Sequence, residues 1–311
     1  MIKLSVVVPL YKCAPFILEM TERLVESLSS ISKDFEIIYV NDNSPLHDWV
    51  LVEEASNKDK RIKGINLSRN FGQHYAITAG LEHASGNWIV VMDGDLQDQP
   101  EEIINLYNKA IKGYDIVYAK RKDRKDSFFK RMGSKLFYKM LAYLTDTEQN
   151  AEIANFGIYS KKVIEAILNM QDYTRYFPTM VKWVGFTSAE LIVSHSEREE
   201  GKSGYTLKGL LKLALDTILS FSDKPLRLTV KLGIIISCLA FIFALFILYR
   251  SLTHQISVSG YSSLIISIWF LSGIIITILG IVGLYIGRMF DQVKNRPTYI
   301  VKDSLNLGNN D

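Results

Sequence analysis

Leu4-Ser5-Val6-Val7-Val8-Pro9 is an apolar run with three consecutive valines. A strand that shows such a run, instead of alternation, is buried on both faces, as in a parallel sheet covered by helices. The residues after it support that reading. Ala14–Leu28 has helical spacing through Ile17, Met20, Leu24 and Leu28. Phe35–Val40 predicts a second strand, and Ser44 with Pro45 predicts an N-cap followed by proline in the first turn of a helix. Ile62–Leu67 predicts a third strand. Tyr75–Ala84 predicts a helix that stops at Gly86, expected as a left-handed terminator. Trp88–Met92 predicts a fourth strand, followed by a helix from Pro100 to Lys112 and a strand at Asp115–Tyr118. This alternation predicts an α/β fold with a mostly parallel sheet. Ligands of such sheets sit at the carboxyl ends of the strands, so function is sought in the polar residues there.

The 311 residues are 48% hydrophobic and 22% charged, with 19 Gly, 7 Pro and 2 Cys. Those values exclude a collagen-like, disulfide-stapled or disordered chain. A net charge of +3 gives no argument for nucleic acid. The apolar residues are unevenly spread: Leu232–Tyr249 and Gln255–Gly287 carry no charge. The first run fits a membrane span of roughly 20 residues if its ends snorkel through Lys231 and Arg250, and the second is long enough to span after a short outer loop at Gln255–Gly260. Buried core helices are the plain alternative, and core helices rarely run so far without a charge. Lys224, Arg227 and Lys231 precede the first run, and Arg288, Lys294, Arg296 and Lys302 follow the second. Only Arg250 lies near the connecting loop. The positive-inside rule then puts both termini and the soluble part in the cytoplasm, with the chain a multi-pass protein of the inner (plasma) membrane. Thr206–Phe221 has apolar residues at helical spacing opposite Lys208, Lys212 and Asp216. It predicts an amphipathic helix, lying on the bilayer or packed on the soluble part.

The expected organisation is therefore a cytoplasmic domain over 1–205 and an amphipathic entry over 206–227. Two spans follow within 228–290, at 229–250 and 261–287, and then a tail over 291–311.

Three strand ends are polar. Pro9, Tyr11 and Lys12 follow the first, Asn41-Asp42-Asn43-Ser44 the second, and Asp93-Gly94-Asp95-Leu96-Gln97-Asp98 the fourth. Neither GxGxxG nor GxxxxGK[ST] follows the first strand, which argues against a dinucleotide fold or a P-loop. Asp93 and Asp95 stand two apart after a buried strand. Clustered carboxylates repel unless a proton or cation sits between them. A hard divalent ion, Mg²⁺ or Mn²⁺, held by carboxylates and phosphate oxygens explains the pair, whereas a solvated acidic turn is the plain reading. Gln97 and Asp98 add a neutral ligand and a further acceptor. Asp42 fits either a turn cap or an acceptor for a base or ribose. His74 and His195 read as packing or hydrogen-bonding residues, and no His/Cys cluster has zinc spacing.

Those motifs, with Leu67-Ser68-Arg69-Asn70-Phe71-Gly72-Gln73 between them, resemble the GT-A glycosyltransferases of family 2. The similar branch is the polyprenyl-phosphate glycosyltransferases, both dolichol-phosphate mannose synthase-like and bactoprenol glucosyltransferase-like. Glu197-Arg198 through Lys202, Ser203 and Tyr205 resembles the basic loop of that branch, and Ser220–Arg227 its membrane entry. The resemblance implies a Rossmann-like GT-A sheet and an inverting, metal-dependent hexosyltransferase using Mg²⁺ or Mn²⁺. A nucleotide sugar, foremost a UDP-sugar, is the implied donor, and polyprenyl (undecaprenyl) phosphate the implied acceptor. The implied nucleotide contacts are Pro9, Tyr11, Asp42 and Asp93, and the metal contacts Asp95 and Gln97. Asp93, Asp95, Asp98 and Arg198 are the implied catalytic group. Arg121, Arg124, Arg131, Arg198, Lys202 and Tyr205 are the implied acceptor or diphosphate contacts. Self-association and a downstream flippase are further expected partners.

A lipid phosphate is already an anion and attacks without a strong base. The site must instead bring two anions together and stabilise the leaving diphosphate. Two departures from the branch stand out. Many relatives carry an Asp–Phe–Arg type sequence where this chain has Asn155-Phe156-Gly157, and many carry Glu where it has Leu284. Two other readings are kept. One is extension of a lipid-linked glycan through a sugar hydroxyl, with Asp98 as base. The other is a non-catalytic nucleotide-sugar-binding membrane subunit.

Overall fold

The computed structural model describes residues 3–121, 153–193, 222–252 and 260–307. The chain divides into two compact units. Among the described residues one holds 3–121, 153–193 and 297–307, and the other 222–252 and 260–296. The expected amphipathic helix at Thr206–Phe221 and most of the expected loop at Gln255–Gly260 lie outside the described residues.

The first unit is built on an eight-stranded sheet. Its strands are β1 (Leu4–Leu10), β2 (Phe35–Asn41), β3 (Ile62–Leu67), β4 (Trp88–Val91), β5 (Ile116–Arg121), β6 (Ile153–Ser160), β7 (Ser188–Val193) and β8 (Val301–Leu305). They lie in the order β7-β5-β6-β4-β1-β2-β3-β8. β1, β2, β3 and β4 run parallel, with β1 between β2 and β4. Every residue of β1 and β2 is buried, as their apolar runs require. The side chains alternate between the two covers. Leu4, Val6 and Val8 belong to the core shared with helices α1 (Ile17–Ile31) and α4 (Glu102–Ala110). Val7 faces helix α3 (Gln73–Glu82), where a Cβ on Gly80 would come within 2.3 Å of its Cγ1. Gly80 is therefore the residue that lets α3 sit flat on the sheet. The remaining helices of the unit are α2 (Asp48–Lys58), α5 (Lys161–Leu168) and α6 (Phe177–Trp183).

Several local readings change. β6 inserts antiparallel between β4 and β5, so the strand after α4 does not pair with β4. The expected helix start at Ser44-Pro45 is a turn, and α2 begins at Asp48. Ser44 Oγ accepts from the Lys12 and Leu46 N–H groups, while the buried Asp48 carboxylate accepts from Cys13 and Ala14. Gly86 does not terminate a helix in the left-handed region, since α3 ends at His83 with ordinary helical dihedrals. Its constraint is space, because a Cβ there would meet Ser5 N at 2.7 Å. The stretch expected as a tail contains β8, which pairs antiparallel with β3.

The second unit holds α7 (Lys224–Leu252) and α8 (Tyr261–Val293). Both are long and apolar enough to cross a membrane. Phe241, Phe243, Phe246, Trp269 and Phe270 are all more than half exposed. Tyr285 donates to the Ser222 carbonyl at 2.7 Å, which ties α8 to the segment before α7.

One buried ion pair closes the amino end of the sheet. Glu36 is 1% exposed, and its Oε1 accepts from Ser5 Oγ, Ser85 N–H and Ser85 Oγ. Lys63 Nζ lies 2.5 Å from its Oε2. Burial alone would raise this carboxyl, but the Lys63, Ser5 and Ser85 hydrogen bonds outweigh it and hold it below its ordinary value of 4.5. Lys63→Met leaves a buried, unpaired carboxylate, expected to cost about 3–5 kcal/mol. A depressed carboxyl adds stability above its unfolded pKa and loses it as pH falls through the folded one. Thermal unfolding of the detergent-solubilised chain should therefore show the full deficit above pH 4.5 and a shrinking one below it.

Candidate active site

The order of the parallel strands reverses between β1 and β4. β2 and β3 extend the sheet on one side of β1, and the chain then crosses back to lay β4 on the other. Two adjacent strand ends open away from each other at such a point, leaving a crevice at the carboxyl edge. The Asp93-Gly94-Asp95 turn is built into it. A Cβ on Gly94 would meet Leu10 Cδ2 at 2.9 Å, Cys13 Sγ at 3.1 Å and the Pro9 carbonyl at 3.1 Å. Glycine is required for the acidic turn to lie against the end of β1. Leu96 takes a left-handed φ of 55°, which reverses the chain directly after Asp95. β4 has ended at Val91, so strand alternation does not govern Asp93 and Asp95.

Asp93 is held by neutral donors. Its Oδ1 accepts from Gln73 Nε2 at 2.7 Å and lies 3.4 Å from Asn155 Nδ2. Gln73 opens α3 and Asn155 sits on β6, so helix and inserted strand meet on this carboxylate. Asp95 Oδ1 accepts from the Gln97 N–H at 3.3 Å. Asp98 lies in the same segment and is fully buried. Among the described residues no three His, Cys, Asp or Glu side chains form a metal cluster. Asp93 and Asp95 still fit a hard divalent cation that takes one or two carboxylates and completes its shell from phosphate oxygens and water.

Asp42 is 3% exposed at the end of β2. Its Oδ1 accepts from Phe71 N–H at 2.7 Å and its Oδ2 from Gly72 N–H at 2.9 Å. Burial pushes this carboxyl above its usual range, and the two N–H groups and Arg69 pull it back only in part. Gly72, at φ 108°, is the residue that turns the chain into α3. Asp42 thus fixes the Ser68–Gly72 loop, on which the Arg69 guanidinium lies 4.0 Å over the Phe71 ring. Each carboxylate oxygen retains a second lone pair for a ligand.

Pro9 is buried in β1 and Tyr11 is 46% exposed beyond it, with the Lys12 ammonium 5.4 Å from its ring. Arg121 ends β5, opposite Val193 at the end of β7. Arg124, Arg131, Arg198, Lys202 and Tyr205 lie outside the described residues, as does His195. Burial pushes His74 down to about 4, so it is neutral near pH 7, and its ring meets Tyr176 edge-on at 4.7 Å. Burial pushes the Cys13 thiol up to about 12, so it stays protonated beneath the acidic turn.

The structure therefore brings Pro9, Tyr11, Asp42, Asp93, Asp95, Gln97 and the end of β5 to one edge. It also adds Gln73 and Asn155, which sequence spacing does not connect with Asp93. The signal for Gln73 was its place at the start of a helix after the Ser68–Gly72 motif. Asp42→Ala removes both acceptors from the Phe71 and Gly72 N–H groups. An expected loss of about 2 kcal/mol would appear in thermal unfolding, with faster hydrogen exchange at those two amides.

The sequence pattern of the family "Glycosyl transferase family 2" matches residues 5–168. The chain is 39% identical to the "Uncharacterized glycosyltransferase YkcC" of Bacillus subtilis (strain 168), over 99% of this chain and 96% of that protein. It is 34% identical to the undecaprenyl-phosphate 4-deoxy-4-formamido-L-arabinose transferase of Shewanella sediminis (strain HAW-EB3), over 97% of this chain and 92% of that protein. Among solved structures it is similar to the mannosyltransferase PcManGT from Pyrobaculum calidifontis in complex with GDP-Man and Mn2+. That likeness has 16% identity and a TM-score of 0.49, over 72% of this chain and 64% of the other. A family pattern over more than half the chain and near full-length relatives lead to one statement: this chain belongs to glycosyl transferase family 2.

Proposed function

We propose that this chain transfers one sugar from a nucleotide sugar to the phosphate of a polyprenyl phosphate, undecaprenyl phosphate being the foremost acceptor, with inversion at the anomeric carbon. The observation that carries this reading is the match to an undecaprenyl-phosphate sugar transferase over 97% of the chain, apolar helices included. The edge geometry supports it. Asp42 and Tyr11, at the ends of β2 and β1, are proposed to receive the nucleoside, and Asp93 and Asp95 its diphosphate. Mg²⁺ or Mn²⁺ bound there would offset the charge that gathers on the diphosphate as it leaves.

The chain's residues then have separate tasks. Gln73 and Asn155 hold Asp93 in place without adding charge. Arg121 ends the strand that leads into the basic run, and Arg124, Arg131, Arg198, Lys202 and Tyr205 are proposed to receive the acceptor phosphate or the diphosphate. A lipid phosphate oxygen attacks the anomeric carbon as the bond to the diphosphate oxygen breaks, and the electron pair leaves with the diphosphate. No proton has to be removed from the nucleophile. The alternative acceptor, a sugar hydroxyl, needs a base, and the fully buried Asp98 is poorly placed to be one.

A multi-pass membrane location follows the same reading. α7 and α8 are suited to spanning, and β8 beyond them belongs to the same sheet as β1–β7. Two crossings bring the chain back to the side it left, and the basic flanks argue that this side is cytoplasmic. The domain boundaries read from sequence are kept as part of this proposal, with the tail from 297 onward grouped with the sheet unit.

Purified protein with Mg²⁺ or Mn²⁺, a panel of UDP- and GDP-sugars and undecaprenyl phosphate should yield a lipid-linked sugar of inverted configuration. Asp95→Asn should lower kcat at least about 100-fold. Unchanged turnover in that variant would remove Asp95 from the site. Product from a lipid-linked sugar but never from the lipid phosphate would favour the hydroxyl acceptor. Folded protein that binds donor and transfers to neither acceptor would favour a non-catalytic subunit.

A further inference from the structure

The strand that follows the second apolar helix reaches the donor edge through side chains. In the β3–β8 ladder Asp303 stands opposite Asn66. Asp303 Oδ2 accepts from Asn66 Nδ2 at 3.1 Å. Asn66 Oδ1 accepts from Asn41 Nδ2 at 2.9 Å. Asn41 Oδ1 accepts from the Ser44 N–H at 3.2 Å, and Ser44 Oγ accepts from the Lys12 N–H at 3.0 Å. The relay thus runs from the C-terminal strand to the turn carrying Asp42 and on to the turn after β1.

We propose that Asp303 is a positioning residue for donor binding, acting through Asn66 and Asn41 on the Asn41–Ser44 turn. The inference rests on the donor site proposed above. Its physical basis is polarity. An asparagine amide can present either its oxygen or its nitrogen to a neighbour, so two in series need fixed groups at their ends, and the Ser44 N–H, which only donates, sets one end. An ionised carboxylate only accepts. Asp303 therefore sets the other end, matching Asn66 with nitrogen toward β8 and oxygen toward Asn41. Asn41 must in turn give nitrogen to Asn66, which leaves its oxygen for Ser44. Reversing any amide would put donor against donor at the next link. Asn66 is 7% exposed and Asn41 4%, so water cannot readily repair such a fault.

The two turns at the end of the relay need this support. Asn43 sits at φ 48° and Lys12 at φ 62°, both left-handed in residues that carry a Cβ. Such conformations persist where surrounding contacts fix them. Contacts that flank β8 hold it independently of the relay. Ser68 N–H donates to the Ile300 carbonyl, and Asn306 Nδ2 donates to the Ser56 and Ile62 carbonyls, each at 2.8–2.9 Å. β8 should consequently stay docked when Asp303 is changed.

The test uses the full chain in detergent and isothermal titration with UDP and GDP, each with Mn²⁺. Asp303→Ala should weaken the nucleotide that wild type binds by about 3- to 10-fold, the worth of one oriented hydrogen-bond link. With the sugar donor, KM should rise in parallel while kcat at saturation stays within about 2-fold. The double exchange Asn66→Asp with Asp303→Asn rebuilds the polarity, because an acceptor-only residue 66 still draws nitrogen from both Asn41 and residue 303. It should recover wild-type affinity within about 2-fold. Asn306→Ala, at the far end of β8, should lower thermal stability and leave affinity unchanged. If wild type binds neither nucleotide, the donor-site reading falls and this inference with it. If wild type binds and Asp303→Ala binds equally, the donor site stands and the relay is overturned. A loss that the double exchange does not recover, or that Asn306→Ala matches, makes β8 a structural prop only and also overturns it.

Discussion

β1 and β2 are buried along their whole length, and this constraint places everything else. A strand covered on both faces has no surface on which to carry chemistry. Its polar residues are confined to the ends, and the crossover that sets β4 beside β1 opens a gap between two of them. The acidic turn needs Gly94 to lie there, because side chains from β1 and the segment beyond it occupy the space a Cβ would take. The site is thus a consequence of strand order and of the close approach of one turn to the end of its neighbour.

The carboxylates at this edge accept hydrogen bonds from amide and backbone donors. Asp93 is gripped by two amides, and Asp42 by two backbone N–H groups. Asp48 likewise accepts from two backbone N–H groups at the start of the segment before α1. Dipolar donors of this kind fix the geometry of a carboxylate without adding a charge of their own. The amino end of the sheet is treated differently. There Glu36 meets Lys63 directly, and the pair is a staple closed to any ligand. A carboxylate at one end of the sheet meets an ammonium and at the other meets amide and backbone donors, and the partner makes the difference.

How much of this is legible in the sequence depends on where each element draws its stability. β1 to β4 and the helices between them announce themselves, because their burial is local to the run. The antiparallel β6 does not, since its apolar residues fit either direction and only pairing with β4 decides it. β8 carries Lys302, Asp303 and Ser304 and is mostly exposed, so it has no apolar signature; it exists because β3 offers an open edge. Ser44-Pro45 has the composition of a helix start, yet the Ser44 hydroxyl serves the Lys12 turn instead. The acidic turn, Asp42 and Tyr11 could be named from strand-end position alone. Gln73, Asn155 and Asp303 could not be assigned, because each acts on a residue distant in sequence.

Asn155 shows what a single departure does in such a setting. The resemblance to the polyprenyl-phosphate branch leads one to expect an acid at this position. An acid there would face Asp93 across 3.4 Å, and two carboxylates so close require a shared proton or a cation between them. With asparagine the same contact is attractive, and Asp93 is ordered before any cation arrives. Under the proposed reading the site would carry one fewer negative charge, and more of a cation's retention would fall to Asp93, Asp95 and the donor's diphosphate. A weaker hold by protein alone, completed by the donor, would couple metal binding to donor binding. In that arrangement Asn155 would order Asp93, and the donor would supply the charge that an acid would otherwise have provided.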